Sequence, residues 1–226
     1  FRRVLFRSVA GSAAESETES KSTTKAYLAN DSVASGVTKL EVGTLTVEAS
    51  HTARFDSQTS TIQASAVGFS GSWATNTDNA TVEARIGDYA EIIAQNVFVD
   101  AVNTARKDLL GPDEQNVEAA SGGVLQGNAS ESETTIAHVT KASIGQYTKV
   151  NVIGNAAGEG QLRVSTFNDI EGYDDVRLDT GGLIVGSGAT SHILADSVVS
   201  TAQVEKGAKI TAVDDVDILT RDRVKL

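Results

Sequence analysis

The chain has 226 residues and a formal net charge of −11, with 40% hydrophobic and only 5% aromatic residues. Such an acidic chain repels phosphates and anionic headgroups, so nucleic acid and charged lipid are expected to be absent from its partners. It has no Cys, which removes disulfides and thiolate chemistry, and no apolar run long enough to span a bilayer as a helix.

Residues 1–8, FRRVLFRS, lack the apolar region of a signal peptide. They resemble the in-frame translation of a sequencing-library adapter and are expected to be a non-native scar of a metagenomic read. The chain also contains no Met, so it is expected to be a fragment from inside a longer protein. Residues 9–22, VAGSAAESETESKS, are polar and of low complexity and predict a loop or disordered lead-in.

From residue 23 to 226 the sequence predicts a single domain built of repeats, with units starting near 23, 81, 139 and 199. A clause of the form Ala-x-[Ile/Leu/Val] occurs at Ala26–Leu28, Ala84–Ile86, Ala142–Ile144 and Ala202–Val204, at spacings of 58, 58 and 60. Ala90–Ala94 matches Ala208–Ala212. The clause 45-LTVEA-49 matches 97-VFVDA-101 and 216-VDILT-220, and its counterpart in the third unit falls late, at 162-LRVST-166, so an insertion intervenes. The spacer 50-SHTARFD-56 echoes 102-VNTARKD-108. A glycine signature reads 121-SGGVLQG-127 and 180-TGGLIVG-186, with a degenerate form at 65-SAVGFSG-71.

Within these clauses apolar residues alternate: Leu45, Val47, Ala49; Val97, Val99, Ala101; Val216, Ile218 and then Thr220. A period of two is the mark of half-buried strands, with Phe98 and the acidic residues turned outward. The strands are expected to be short, about five residues, with turns at Gly87-Asp88 and Gln95-Asn96. A unit near 58 residues predicts about three turns of about 20 residues each, stacked at ~4.8 Å, or about 14 Å per unit. The fold class is therefore all-β, a right-handed parallel β-helix (β-solenoid) whose narrow interior is filled by small aliphatic side chains.

The unit A-x-I-G-x-x-A-x-I-x-A … V-x-V-x-A … G-G-[VL]-[LI]-x-G, over residues 22–220, resembles the repeats of large bacterial exoproteins. These are the filamentous-haemagglutinin-like adhesins, including the leukotoxin-family filamentous adhesins. The resemblance implies a right-handed β-helix, export across the outer membrane, and service as a stalk or adhesive fibre, secreted or at the bacterial cell surface. Its partners would be adjoining repeats of the same long chain and a host, cell or matrix surface. It carries no catalytic residue onto this chain, and two units depart from its Ile-Gly dipeptide with Leu28-Ala29 and Val204-Glu205.

Candidate chemistry is sparse. The acidic runs 171-EGYDDVRLD-179 and 213-VDDVD-217 offer carboxylates of the kind calcium takes, but the calcium-roll nonapeptide is absent and a solvated outer face accounts for them. His51, His138 and His192 share no position in the repeat frame and have no second ligand at metal spacing, so surface imidazoles are expected. Tyr89 and Tyr147 recur in frame, with Tyr27 near an earlier clause; an outward tyrosine row could grip carbohydrate or protein, or cover an edge. The Gly-Gly pairs are expected to supply bends or positive φ. Arg163, Arg177, Arg221 and Arg223, with Asp174, Asp175 and Asp179, support an alternative reading as a pectate-lyase-like, polysaccharide-active β-helix enzyme or its non-catalytic remnant. A membrane β-barrel would want longer strands and aromatic girdles. The reading taken is a structural or adhesive module with no catalytic, cofactor-binding or metal-binding residues and no cofactor.

Overall fold

A computed structural model of the protein describes residues 9–28, 39–55, 58–108 and 116–226; the adapter-like residues 1–8 lie outside the described residues. Among the described residues there are thirteen strands and no helix. The chain makes four successive passes. β1 (Val9–Leu28), β2 (Lys39–Phe55) and β3 (Thr59–Ala64) form the first tier. The second is β4 (Val67–Ile86), β5 (Glu91–Lys107) and β6 (Val117–Gly122). The third is β7 (Leu125–Ile144), β8 (Lys149–Val152), β9 (Leu162–Gly172) and β10 (Val176–Gly181). The fourth is β11 (Ile184–Val204), β12 (Lys209–Ala212) and β13 (Val216–Lys225).

The tiers build three parallel sheets. Sheet A orders β1-β4-β7-β11, sheet C orders β10-β6-β3, and sheet B holds β2, β5, β8, β9, β12 and β13. Each strand pairs with one far along the chain: Val9 lies opposite Val67, Val67 opposite Leu125, and Thr59 opposite Val117, each partner one full sequence repeat away. Neighbouring strands are therefore a whole unit apart rather than a third of a unit, and one unit adds one strand spacing to a sheet instead of three. The strands are also longer than expected, up to 21 residues. Their Ser-, Thr- and Gly-rich portions look like loops by composition yet alternate inward and outward like the rest.

The same misreading applies to residues 9–22. They form most of β1, not a disordered lead-in, with Glu15, Glu17 and Glu19 facing out and the small Ser12, Ala14 and Ser16 facing in. Low complexity here reflects a narrow interior, which needs small side chains, and not an inability to order. Gln95-Asn96, expected to turn, runs straight through β5. In the third tier that point opens into the loop between β8 and β9: the offset from β5 is 58 at Lys149 and 65 at Leu162. The insertion read from the displaced 162-LRVST-166 lies there. Gly87-Asp88 does turn, between β4 and β5.

The register sets the recurrent clauses side by side. Leu28, Ile86, Ile144 and Val204 form one column, and Ala26, Ala84, Ala142 and Ala202 the next. Facing them from sheet B are the columns Leu45–Val97–Leu162–Val216 and Val47–Val99–Val164–Ile218. These side chains make the main apolar core, with Ile86, Ile144, Val97 and Val99 at 0% exposure. At ~25 cal/mol per Å2 each buried Val or Ile contributes about 2 kcal/mol.

Candidate functional site

The interior has a second half, and it is mainly polar, around a small apolar cluster of Ala105, Ile136 and Ile170. Alternation along β5 continues past Ala101 to Asn103, Ala105 and Lys107, and along β7 backward from Ile144 to Thr140, His138, Thr134 and Ser132, all facing inward. Lys107 is fully buried, and its Nζ lies 2.9 Å from Asp174 Oδ1 and donates to Thr134 Oγ1 at 3.1 Å and Ser132 Oγ at 3.2 Å. Of the ammonium's three donors, two serve those hydroxyls; Asp174 contributes an ion pair, and its Oδ1 accepts no hydrogen bond. Further along the same strand, His138 Nε2 meets Asp78 Oδ2 at 2.9 Å with neither side chain exposed, and Thr140 donates to Asn168 at 2.5 Å. Asp78 Oδ1, His138 Nδ1, Asn76 Oδ1 and Asn103 Oδ1 have no protein partner.

Narrowness explains the composition. Between sheets A and C, Ser72 Oγ donates directly to the backbone carbonyl of Glu118 at 2.6 Å, and Thr61 Oγ1 touches Ser72 Oγ at 2.9 Å. The sheets are too close there for leucine, so small hydroxyls bridge them. The Gly-Gly corner obeys the same constraint. Gly123 sits in a bend, not at positive φ, and a Cβ on it would fall 1.8 Å from the carbonyl oxygen of Ser65. Close approach, and not backbone handedness, requires the glycine.

The polar interior lies between the sheets, and the outer face of sheet B is open to a partner. Its side chains form charge ladders across the tiers. Arg163 donates from Nε and Nη2 to Asp100 at 3.1 and 2.7 Å, Ser165 donates to Asp100 at 2.6 Å, and the guanidinium lies 4.9 Å over the Phe98 ring. The Asp100 hydrogen bonds push the Arg163 pKa further up. Asp169 is clasped by Arg223 at 2.7 and 2.5 Å and by Arg106 at 2.7 Å. Glu171 bonds Lys225, Tyr173 and Arg106, and these bonds, that of Lys225 foremost, lower its pKa to about 2. Planar guanidinium forks suit such carboxylate pairing.

Between β9 and β13 this face carries a shallow cleft of about 260 Å3 lined by Arg163, Ser165, Phe167, Leu219 and Arg221. Arg221 has no ion pair among the described residues, and its register partner is Phe167. The cleft joins a guanidinium, an aromatic ring and a hydroxyl, a set that can hold a carboxylate or a sugar face.

The structure sorts the sequence-derived candidates. Arg163, Arg221 and Arg223 share the outer face of sheet B, whereas Arg177 pairs with Asp179 at 2.8 Å on β10 of sheet C. Asp174 points inside to Lys107, and Asp175 serves the turn, donating its N–H to Asn116 Oδ1 at 3.0 Å. They do not form one cluster. The acids of 171–179 are thus not a uniformly solvated face: Glu171 and Asp179 are ion-paired outside, and Asp174 is 3% exposed. Of the histidines, His192 is exposed, His51 is half-buried against Ser22, and His138 is fully buried, contrary to the expectation of three surface imidazoles. Among the described residues no group of three or more His, Asp or Glu is placed to hold a metal.

Tyr89 and Tyr147 stack with centroids 5.3 Å apart and an interplanar angle of 18°, both at positive φ (60° and 56°) in the turn entering sheet B. The next tier has Gly207 there at φ 78°, where a Cβ would come within 2.6 Å of the Tyr147 ring. Tyr27 stands apart on β1, where its hydroxyl bonds Glu83. No protein-family model matches the chain, and neither a curated protein nor a solved structure matches it significantly.

Proposed function

We propose that the chain is a structural and adhesive module: a right-handed parallel β-helix, one long coil to each sequence repeat, that presents an outer protein surface without catalysis. The observation that carries this reading is the pairing of Leu28, Ile86, Ile144 and Val204 in one column. Side chains repeated for stacking make a rigid rod, and a rod is suited to hold a binding face at a distance. The resemblance to filamentous-haemagglutinin-like adhesins supplies the setting, a large secreted or surface-exposed bacterial protein with a host, cell or matrix surface as partner.

The cleft of Arg163, Phe167 and Arg221 is where the surface would grip: the chain's net negative charge is screened beyond about 8 Å at physiological salt, and the Arg221 guanidinium, which has no ion pair among the described residues, can fork onto a single carboxylate at contact. Beads coated with the chain should adhere to acidic polysaccharide films, and Arg221→Ala should reduce bead retention about tenfold. Equal retention by both proteins, or none by either, contradicts this reading. Release of reducing ends from the films would instead support the polysaccharide-active enzyme.

A further inference from the structure

We infer that the outer face of sheet A, where β4 and β7 begin, is a docking surface for a basic amphipathic helix. The inference does not rest on the Arg163 cleft, which lies on sheet B.

Alternation turns one set of side chains outward along each strand of sheet A, and near the strand starts that set is apolar. Register places Val9, Val67, Leu125 and Ile184 in one column, with Phe69 in the next. At the corner before them Val124 donates its N–H to the Ala66 carbonyl at 3.0 Å, and Leu183 donates to the Val124 carbonyl at 3.1 Å, which stacks a third column alongside. Phe69 is 54% exposed, Val124 53% and Leu125 39%, although β4 and β7 each have a strand on either side. Their exposure therefore belongs to the flank of the stack, and tiers added at either end would lengthen this ridge without covering it. Contiguous exposed apolar side chains rimmed by polar ones mark an interaction surface.

Aromatic rings and carboxylates border one side of the ridge. Past Phe69 the outward positions of β4 are Gly71 and Trp73. A Cβ on Gly71 would overlap the Trp73 ring, and one on Gly127 the Phe69 ring, so both rings lie over glycine backbone. With Gly11 and Ala13 they line a shallow depression of about 380 Å3. Glu15 and Glu131 are the register partners of Trp73 on its two sides, and Glu17 and Glu133 flank Thr75 in the next column. None of these four glutamates has an ion pair among the described residues, and Lys21, the next cation along β1, is held by Glu19. A cation seated on the Trp73 ring gains attraction from the ring and has a carboxylate on each side.

Spacing and charge together select the occupant. A helix rises ~5.4 Å per turn and adjacent strands lie ~4.8 Å apart, so a helix laid along the stack sets one apolar side chain per turn against one ridge residue per tier. Lysines or arginines on one border of that helix then meet the four glutamates and the indole. The same carboxylates repel anionic lipid, and a neutral sugar brings them no opposite charge.

Trp73 is the chain's single tryptophan, so its emission reports this face. The probe is a synthetic amphipathic helix of leucine and lysine, titrated into the full chain. The expected result is a saturable blue shift of Trp73 emission, weakened by salt. A peptide with glutamate in place of lysine should give no shift. Glu15→Gln combined with Glu131→Gln should weaken binding about tenfold, and so should Leu125→Ser; the glutamine pair decides the matter if the serine variant fails to fold. Glu41→Gln, outward on sheet B, should bind like the parent chain. No shift with the lysine peptide, an equal shift with the glutamate peptide, or undiminished binding by the folded glutamine variant would overturn the inference. So would a shift that grows with protein concentration alone, which seats a second copy on the ridge, or one produced by neutral oligosaccharides and not by the peptide. Bead retention on acidic polysaccharide tests the cleft and this titration tests the ridge, so either can fail alone.

Discussion

The two halves of the interior are held by different physics. Where the end of sheet A faces the start of sheet B, Ile86, Ile144, Val97, Val99 and Val164 form aliphatic columns whose contribution is close to their buried area. Where the start of sheet A faces sheet C and the end of sheet B, Lys107, Asp174, His138, Asp78, Asn168 and small hydroxyls fill the space. Desolvating an ion pair costs about what its attraction returns, so the polar half adds little net stability while imposing strict geometry. One half drives collapse; the other fixes which tier lies on which.

That contrast breaks most sharply in the apolar half. Val99→Asp places an unpaired charge between Val47 and Val164 and should cost about 4 kcal/mol or more, enough to abolish a cooperative thermal transition by circular dichroism. In the polar half, Lys107→Ala leaves Asp174 buried without its cation and should cost about 3–5 kcal/mol in urea unfolding. Lys107→Met with Asp174→Leu should recover most of that loss. If the double variant is no more stable than the single, the polar half contributes more than specificity.

The alternation of Val97, Val99 and Ala101 made the apolar half legible in the sequence, and the in-frame Ala-x-Ile clauses carried its register. The displaced 162-LRVST-166 likewise marked the insertion between β8 and β9. The polar half was carried by the same alternation, since Asn103, Ala105 and Lys107 continue the inward parity of Ala101. Reading polar as outward hid it: a lysine inside is admissible only with its partners, and Asp174, Ser132 and Thr134 lie far from it in sequence. The length of a circuit escaped for a related reason, because Ser- and Thr-rich strands resemble loops unless a narrow interior is already assumed. Of the cleft, the arginines were noticed, but Phe167 and Leu219 become its lining only through the pairing of β9 with β13.

Smaller effects sharpen the account at the surface. Glu171 has a folded pKa of about 2, below its ordinary value, so its bonds to Lys225, Tyr173 and Arg106 stabilise the fold above the usual carboxyl range. That contribution is lost as pH falls from about 4 through 2, and Glu171→Gln should flatten this part of the stability–pH curve. An unchanged curve would remove Glu171 from the acid response. Thr46→Lys, outward on β2, should move stability by less than about 0.5 kcal/mol.

The pairing offset is the centre of the account, and the absence of native Cys makes it directly measurable. Thr77 and Thr135 are register partners on the outer face of sheet A, one full repeat apart in sequence. Adjacent parallel strands lie ~4.8 Å apart, within the reach of a disulfide. Under mild oxidation, Thr77→Cys with Thr135→Cys should form an intramolecular disulfide in most molecules, whereas Thr77→Cys with Phe98→Cys should stay reduced. A bridge in the second pair and none in the first would mean that the chain turns back on itself in short coils, several to a repeat, contradicting the stack of long circuits.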